Sequence, residues 1–431
     1  GQDGSAQAGV PYHVQTARYQ GRLLQPASDT QPYAVVLPML LEQLDVHYER
    51  IASDPLVQQQ VTLQVDAYGV PTTAVAINYA RRPQGDVDPY PSTLPATLWD
   101  SSYDDAQQSL RLTESLTGVY HLTDPQAWRL GLPWQQRQNV VTDPDGYAGY
   151  PVGNSSTGLD YEALVQPDGV LGDSQPRDYA GQSLVCYFNQ AGTAQQDAQS
   201  APPWLALVHH IEVAELDAEA LHAYDDVPDF DLDTELPAAG YVEQPLLFPR
   251  ADESAATVWV IAHGYHGYVD AEGAWLPFNL PRTQQSSLLV GASTLAYDDD
   301  SCVVVSSTDA LGNQTRTACD YRFLAPWQLI DANGNKQEVL FDALGRVCAT
   351  SIYGSELDEN DAVISTGFDP VADYDAGAAA LASIDAALDD PAGAVQGCAS
   401  ACLYQPDSWM GSVSQAGLAA HGSAAQAAAW W

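Results

Sequence analysis

Two histidine pairs and one acidic run are the residue groups in this sequence whose spacing could support metal binding. His209 directly precedes His210, and His263-Gly-Tyr-His266 sets two imidazoles three residues apart in a predicted strand-to-turn region. No cysteine or carboxylate flanks the second pair at the spacing of a zinc site. Asp229-Phe-Asp-Leu-Asp233 resembles the start of a calcium loop, but it lacks the glycine at the sixth position and the glutamate at the twelfth. We interpret the histidines as structural and the acidic run as a solvated strand edge or loop, so the sequence predicts no metal site.

Motifs for nucleophilic catalysis and cofactor binding are also missing from the sequence. Ser155 and Ser156 lie in Gly153-Asn-Ser-Ser-Thr-Gly158, which does not fit the G-x-S-x-G turn of serine hydrolases. Neither a Walker loop nor a G-x-G-x-x-G motif is present. Pairs of carboxylates, as used by glycoside hydrolases, are unavoidable among 56 acidic residues and therefore indicate nothing. The sequence predicts no catalytic site and no cofactor, and we expect the protein not to be an enzyme.

The strictest spacing in the chain belongs to five aspartates that recur every eleven residues, and their chemistry is hydrogen bonding. They are Asp298, Asp309, Asp320, Asp331 and Asp342. Three of them open a D-x-x-G unit, and these units end in Gly312-Asn313, Gly334-Asn335 and Gly345-Arg346. An aspartate side chain can bond the backbone two residues further on, and a glycine three residues later accepts the positive φ of a tight reversal. These residues are therefore predicted to form structural turns.

Short strands must connect these turns. Ser301–Ser306 and Gln337–Phe341 are rich in strand-forming residues. Eleven residues accommodate one strand of roughly seven residues and one turn, which is about 23 Å of strand at ~3.3 Å per residue. Tyr297, Cys319 and Phe341 precede alternate aspartates, so the full period is 22 residues. A fixed period near twenty residues is typical of a stacked array, and residues 293–354 are predicted to be a β-repeat array.

The same rhythm of strand and turn begins well before residue 293. Residues 61–82 alternate apolar and polar positions on both sides of Asp66-Ala-Tyr-Gly69, which predicts a hairpin. Leu184–Phe188 and Trp204–Val208 are predicted to be buried strands. Residues 10–292 are therefore expected to form the first part of the same β architecture.

Helices are predicted in only a few places. Ile211–Tyr224 is predicted to contain a short helix, within a helical elaboration of the sheet over residues 211–242. Asp375–Leu388 has apolar residues at helical spacing, with Asp375 as the predicted N-cap. Gly417–Trp431 is predicted to form another helix. Residues 355–431 are thus expected to be an Ala-rich, helical and mixed segment that is truncated, and residues 1–9 a disordered tail.

Several motifs resemble those of a known toxin family. Tyr297-Asp298 and the D-x-x-G units resemble RHS (YD) repeats. The run Asp320–Asn335, continued through Phe341–Arg346 to Ile352-Tyr-Gly354, is similar to the middle-to-C-terminal region of the B component of insecticidal Tc toxin complexes. Further similar stretches follow in the same order, so that the resemblance covers residue 10 to about residue 410. They include Val10–His13, Leu40–Leu44, Tyr103–Gln108, His121–Gln126, Leu130–Trp134 and His210–Asp217.

This resemblance implies a fold and a function. In that family the RHS repeats wind as a continuous strip into a hollow cocoon, which encloses the cytotoxic effector carried by the C component. The resemblance therefore implies an all-β, antiparallel strip that forms part of a shell, with a few peripheral helices. It implies a wall without catalysis, in a secreted toxin complex. The implied partners are the C component, with its RHS core and effector, and the A component channel, contacted through parts of the protein outside this chain.

Two other functions are compatible with the repeats. A cell-surface or extracellular RHS protein could bind partners through the same strip without cargo, and upstream propeller sequence would argue against it. A secreted hydrolase could use paired carboxylates, and activity on a glycan panel would favour it. The chain opens Gly-Gln-Asp-Gly-Ser without a starting methionine or a visible signal peptide, which predicts that it is a piece of a longer polypeptide.

The charge of the chain excludes two classes of partner. The formal net charge is −41 and the single lysine is Lys336, which argues against binding to nucleic acid or to anionic membrane surfaces. No run of eighteen apolar residues exists, so membrane insertion is not expected. The acidity is compatible with a solvated, self-repelling surface or with walls that hold a basic cargo.

Six cysteines are spread irregularly along the sequence, without a C-x-x-C pair. They are Cys186, Cys302, Cys319, Cys348, Cys398 and Cys402. Buried free thiols are predicted, with a disulfide or a metal site as the alternative. The repeat positions of Cys302 and Cys319 favour simple packing.

Overall fold

A computed structural model of the 431-residue chain describes residues 9–404, except for several gaps within that range. The gaps are residues 82–94, 96, 99–103, 144–158, 173–174, 196, 198, 229, 271, 358 and 361–362. Most of the predicted N-terminal tail and the whole of the helix predicted at 417–431 lie outside the described residues. The chain divides into two compact units, Gly1–His263 and Gly264–Trp431.

The first unit is built on one antiparallel sheet of ten strands. These are β1 His13–Gln25, β2 Val35–His47, β3 Leu56–Val65, β4 Pro71–Asn78, β5 Arg111–Asp124, β6 Ala127–Thr142, β7 Asp178–Tyr187, β8 Val208–Leu216, β9 Tyr241–Pro245 and β10 Thr257–His263. The strands from β1 to β8 pair in chain order, and β10 lies between β8 and β9. The longest hairpin joins β5 to β6, from the pair Arg111 and Thr142 to the pair Asp124 and Ala127.

The second unit carries the predicted repeats in a second antiparallel sheet. Its strands are β11 Tyr265–Gly267, β12 Thr283–Gln285, β13 Ser293–Tyr297, β14 Val304–Thr308, β15 Gln314–Asp320, β16 Ala325–Ile330, β17 Lys336–Phe341, β18 Val347–Leu357, β19 Val363–Gly367 and β20 Ser400–Ala401. The strands from β11 to β19 pair in chain order, and β20 pairs with β18 on the side opposite β17. The all-β, antiparallel fold class is confirmed. The predicted limits of the repeat array, 293 and 354, remain predictions, and β11 and β12 precede the first of them in the same sheet.

Helices are short and lie between or after the strands. The α-helices are α1 Tyr161–Leu164, α2 Ala218–Leu221, α3 Leu232–Ala238, α4 Ile384–Asp389 and α5 Pro391–Val395. The 3₁₀ helices are Asp105–Gln108, His222–Tyr224, Ala251–Glu253, Pro277–Asn279, Val371–Asp373 and Ala379–Leu381. None of the helices in the described part of the chain has the length and apolar character needed to cross a membrane.

Three local predictions differ from the structure. Residues 211–216 belong to strand β8, so the helical part of the predicted elaboration 211–242 begins only at Ala218. Helix α4 starts after its N-cap Ser383, whereas the backbone at the predicted cap Asp375 forms a turn. Trp204–Leu207 precedes β8 as a turn, and the Trp204 side chain is exposed.

The core of the first unit lies on one face of its sheet. Val57 and Val61 of β3 are buried two pleats apart, and Val75 and Ile77 of β4 lie beside them. Leu164 of α1 packs on the same cluster and covers this face. The second unit has a much smaller core, formed by Ala349, Val371 and Cys398. Its repeat sheet therefore keeps most side chains at least partly exposed on both faces.

Candidate functional site: the aspartate turns of the repeat sheet

The three D-x-x-G units form turns with the same hydrogen bonds. Asp331 Oδ1 accepts from the backbone N–H groups of Asn333 and Asn335, both at 2.8 Å, and Asn335 Nδ2 donates to Asp331 Oδ2 at 2.9 Å. Gly334 has a φ of +85°. The turns at Asp309 and Asp342 repeat this arrangement, with Asn313 and the Arg346 guanidinium in the place of Asn335. Gly312 and Gly345 have φ values of +87° and +79°.

The two aspartates without a following glycine use other residues for the reversal. Asp298 Oδ1 accepts from the N–H groups of Cys302 at 2.7 Å and Val303 at 3.0 Å, and Ser301 adopts a φ of +57°. Asp320 Oδ1 accepts from the N–H of Arg322 at 2.9 Å, and Leu324 takes a φ of +50°. The aspartate is thus the constant part of the unit, while the residue with positive φ varies.

The 22-residue period corresponds to the distance between turns that lie at the same end of the strands. Because each hairpin reverses the direction of the chain, every second turn lies at the same end of the strands. The turns at Asp298, Asp320 and Asp342 therefore share one end. The Tyr321 hydroxyl donates to Asp298 Oδ2 at 2.9 Å, which links two neighbouring turns at that end of the strands. The turns at Asp309 and Asp331 lie at the opposite end of the strands. The predicted residues therefore lie in two rows of turns, one at each end of the strands. Contacts between them join neighbouring turns of a row, and the residues do not converge on one site.

The electrostatics of these aspartates suit hydrogen-bond acceptors and not proton donors. The side-chain amide of Asn335 and the backbone N–H groups of the turn lower the pKa of Asp331, and Asn313 lowers the pKa of Asp309 in the same way. The guanidinium of Arg322 lowers the pKa of Asp320. The backbone N–H of Arg346 lowers the pKa of Asp342. All four carboxylates are ionised at neutral pH, and none has the raised pKa of a general acid.

A buried carboxylate in the repeat sheet was not foreseen from the sequence. Glu338 of β17 is 3% exposed and accepts from Gln328 Nε2 at 2.6 Å, the Tyr353 hydroxyl at 2.7 Å and the Val371 N–H at 3.1 Å. These bonds join β16, β17 and β18 to the 3₁₀ helix that begins at Val371. Strand register brings Gln328 and Tyr353 to Glu338, and the 3₁₀ helix brings Val371, so no local motif could have indicated these three partners.

A second unforeseen network lies in the first unit. Arg137 is 1% exposed, and its two Nη atoms each donate to one oxygen of Glu253 at 2.7 Å. Arg137 Nε donates to Asn139 Oδ1 at 2.8 Å, and Asn139 Nδ2 donates to Glu114 Oε2 at 2.9 Å. Arg177 lies 2.8 Å from the same carboxylate. The network ties β5 and β6 to the 3₁₀ helix Ala251–Glu253, and it has the character of a structural element.

The remaining candidate residues form no catalytic arrangement in the described residues. Asp231 caps helix α3, where its carboxylate accepts from Thr234 Oγ1 at 2.6 Å. His266 lies beside Tyr268, with 6.3 Å between ring centroids. Asp229, Ser155 and Ser156 lie outside the described part of the chain.

All six cysteines are free thiols, but they are not all buried. Cys186 and Cys398 are buried, Cys319 and Cys348 are half-buried, and Cys302 and Cys402 are exposed. The prediction of packing for Cys302 is therefore wrong, because it lies in the turn after Asp298 and not within strand β14.

One family matches the chain over its first third. Residues 1–132 match the family described as "Insecticide toxin TcdB middle/C-terminal region". No curated protein matches the chain.

Solved structures of Tc toxins are similar to most of the chain. A crystal structure of TcdB2–TccC3–Cdc42 is 35% identical over 90% of this chain and 17% of that one, with a TM-score of 0.65. A crystal structure of TcdB2–TccC3 is 34% identical over 95% of this chain and 18% of that one, with a TM-score of 0.66. The Photorhabdus luminescens Tc holotoxin pore with a mutated TccC3 is 34% identical over 90% and 17%, with a TM-score of 0.65. The chain therefore spans less than a fifth of the chains that it matches in these three structures.

Proposed function

This chain is a TcdB-like region, similar to the middle and C-terminal part of Tc toxin B components, and on that premise we propose that it forms part of a shell wall. The wall encloses the toxic effector polypeptide of a C component until the effector is delivered. The role is structural and needs no catalytic residue of this chain.

The observation that carries this proposal is the order of strands in the two sheets. In each sheet nearly every strand pairs with its neighbours in the chain, and the order of the described strands is open at both ends. Such a strip can be extended at both edges by further strands, whereas an isolated strip would expose unpaired backbone groups. The D-x-x-G turns keep the hairpins tight at a constant interval. A long, regular wall with few free edges is the product expected of this arrangement.

The solved relatives support the choice of partners. They hold TcdB2 together with TccC3, and one of them is a holotoxin pore. We infer that the protein carrying this chain binds a C component of the same kind and acts with an A component channel. We assign the contacts with the C component and the A component to the assembled toxin. In that assembly, this chain forms part of the shell wall and not part of the channel.

Electron microscopy of the protein that carries this chain, co-expressed with its genomic C-component neighbour, tests the proposal. We expect a closed hollow particle with density inside, and with this segment placed in the wall. A particle formed with a C component that lacks its effector is the matched control and should be hollow and empty. An open strip, or a compact domain without a lumen, would exclude encapsulation and favour a surface-binding RHS protein.

A further inference from the structure

We propose that Cys186, His210 and Glu212 form a binding site for a zinc ion between strands β7 and β8. This site goes beyond the proposed wall function and belongs to the first unit alone. Among the described residues, these three are the group of cysteine, histidine and carboxylate side chains whose ligand atoms all lie within 4.8 Å of one another. No local motif indicates this site, because Cys186 is 24 positions from His210 in the sequence.

Strand register places the three side chains on one face of the sheet. Cys186 of β7 pairs directly with His210 of β8, and Leu184 pairs with Glu212. Side chains two residues apart on a strand share a face, so His210 and Glu212 both lie on the face that carries Cys186. The three ligands therefore come from two adjacent, hydrogen-bonded strands, next to the register shift between Cys186 and Tyr187, and no loop has to move to bring them together.

Two of the three ligand residues, Cys186 and His210, are buried, and the half-buried Glu212 is held by an outer partner. Cys186 is 1% exposed, His210 is 4% exposed, and the Glu212 side chain is 15% exposed. Gln244 Nε2 donates to Glu212 Oε2 at 3.0 Å, which orients the carboxylate so that Oε1 faces His210. Hydrogen bonds of this kind to ligand side chains are the usual support of a metal site.

The imidazole of His210 is oriented for binding a cation through Nε2. Its Nδ1 lies 2.6 Å from His209 Nδ1, so one of these two nitrogen atoms carries a hydrogen that the other accepts. When His210 donates from Nδ1, its Nε2 is the acceptor nitrogen of the ring, and Nε2 lies 3.3 Å from Glu212 Oε1. A lone pair and a carboxylate oxygen repel each other at that distance unless a proton or a metal ion lies between them. A cation at this point would bind both atoms.

The combination of ligands selects zinc over the other common divalent ions. Thiolate, imidazole and carboxylate together match the ligand set of Zn²⁺, whereas Mg²⁺ and Ca²⁺ take oxygen ligands. Three protein ligands leave a fourth tetrahedral position for water or a further donor. We assign the ion a structural role, in which it joins β7 to β8 and compensates the charge of the half-buried Glu212 carboxylate.

Metal analysis of the full chain, purified with zinc and then dialysed, tests the site. We expect about one zinc per chain, as a single three-ligand site requires, and loss of that zinc in Cys186→Ser and in Glu212→Gln. Glu212→Gln keeps the shape of the side chain and its bond to Gln244. Cys398→Ser is the matched control, because Cys398 is also buried but lies in the second unit, and it should leave the zinc content unchanged.

Cobalt substitution provides a readout that does not depend on any variant folding. In the wild-type chain, Co²⁺ bound by Cys186 gives a thiolate-to-cobalt charge-transfer absorption, and Zn²⁺ should abolish it by competition. Wild-type chain without retained zinc, or without this absorption on titration with Co²⁺, would overturn the proposal. Zinc retained equally by Cys186→Ser, Glu212→Gln and wild type would overturn it as well.

Discussion

Gly334 is a residue at which backbone conformation alone determines the effect of a substitution. Its φ is +85°, and a Cβ atom there would meet no other atom within 4 Å. We expect Gly334→Val to lower the free energy of unfolding by about 1–2 kcal/mol, because a branched side chain is strained in the left-handed region. Gly334→Asn should cost less, because asparagine tolerates that region. Urea unfolding monitored by circular dichroism measures both.

Gly9 supplies the control for this comparison. It also has open space around a built Cβ but no positive φ, so Gly9→Val should leave stability unchanged. Equal unfolding curves for Gly334→Val and Gly9→Val would show that the turn does not hold Gly334 in the left-handed region.

Glu338 gives a second prediction at this scale, because its buried carboxylate accepts hydrogen bonds from three donors. Glu338→Ala leaves the Tyr353 hydroxyl and the Val371 N–H without this acceptor, at a cost of about 1–3 kcal/mol for the buried N–H and less for the half-buried hydroxyl. Glu338→Gln should cost less, because it retains one acceptor oxygen. Unfolding free energies of the two variants, measured in denaturant, should follow that order, and equal stability of Glu338→Ala and wild type would contradict it.

The same carboxylate makes stability depend on pH. Burial raises the pKa of Glu338, but the bonds from Tyr353, Gln328 and Val371 outweigh burial and lower the pKa below its ordinary 4.5. The contribution of Glu338 is therefore present above pH 4.5 and is lost as the pH falls through the folded-state pKa. The difference in unfolding free energy between wild type and Glu338→Gln should shrink on acidification through this range. A difference that stays constant with pH would rule out this assignment.

Local chemistry explains which residues could be predicted from the sequence. Asp331 and Gly334 act on their own backbone within four residues, so their spacing alone indicated a turn. Glu338 and the cluster around Cys186 depend on partners that strand pairing brings from distant positions. Those residues carry no signature in one sequence, because any buried glutamate or cysteine has the same local surroundings.

At the scale of elements, pairing with neighbours overrides helical composition. Ile211–Leu216 has alanine and spaced apolar residues, yet it is held as a strand by β7 on one side and β10 on the other. The alternation of His210, Glu212 and Ala214 on one face was the signal for a strand. In the segment predicted as one helix from Asp375, the chain is divided into a 3₁₀ helix and α4, which starts at its own cap Ser383. Short helices of this kind are stabilised mainly by packing, so composition positions them poorly.

The Arg137–Glu253 pair gives a prediction for the link between β6 and the 3₁₀ helix Ala251–Glu253. Arg137→Met leaves the half-buried Glu253 carboxylate without its two hydrogen bonds from Arg137, so it should destabilise the chain by about 1.5–3 kcal/mol. A double-mutant cycle with Glu253→Gln, measured by denaturant unfolding, should show strong coupling between the two side chains. Arg322→Met is the control, because Arg322 pairs with Asp320 at the surface and its loss should change stability very little. Equal effects of the two arginine substitutions would refute the structural role of the network.

At the scale of the whole molecule, the turn aspartates should act together on acid stability. Hydrogen bonds lower the pKa of Asp298, Asp309, Asp331 and Asp342 from the ordinary 3.8. A depressed folded-state pKa stabilises the protein above pH 3.8, and this stabilisation is lost as the pH falls through the folded-state values. The melting temperature of wild type should therefore fall in this range.

A variant with all four aspartates changed to asparagine isolates this effect. It should show a smaller decrease in melting temperature between pH 5 and about pH 3 than wild type does. Acidification also reduces the net charge of −41 and hence self-repulsion, but this contribution is nearly the same in both proteins. Parallel melting curves across that pH range would mean that the turn carboxylates do not titrate with unfolding.

The pairing of strands in chain order has a consequence for biosynthesis. Because each strand of the repeat sheet meets the strand made just before it, the paired residues of neighbouring strands are only 5 to 20 positions apart in the sequence and close short loops. The sheet can therefore grow from its first hairpin as the polypeptide leaves the ribosome, with one exposed edge that the next strand covers. β20 is the exception, since it must wait for residues made about fifty positions after the β18 residues it pairs with. A stalled nascent chain that ends after β19 would then already hold an ordered repeat sheet, with its final edge still awaiting that last strand.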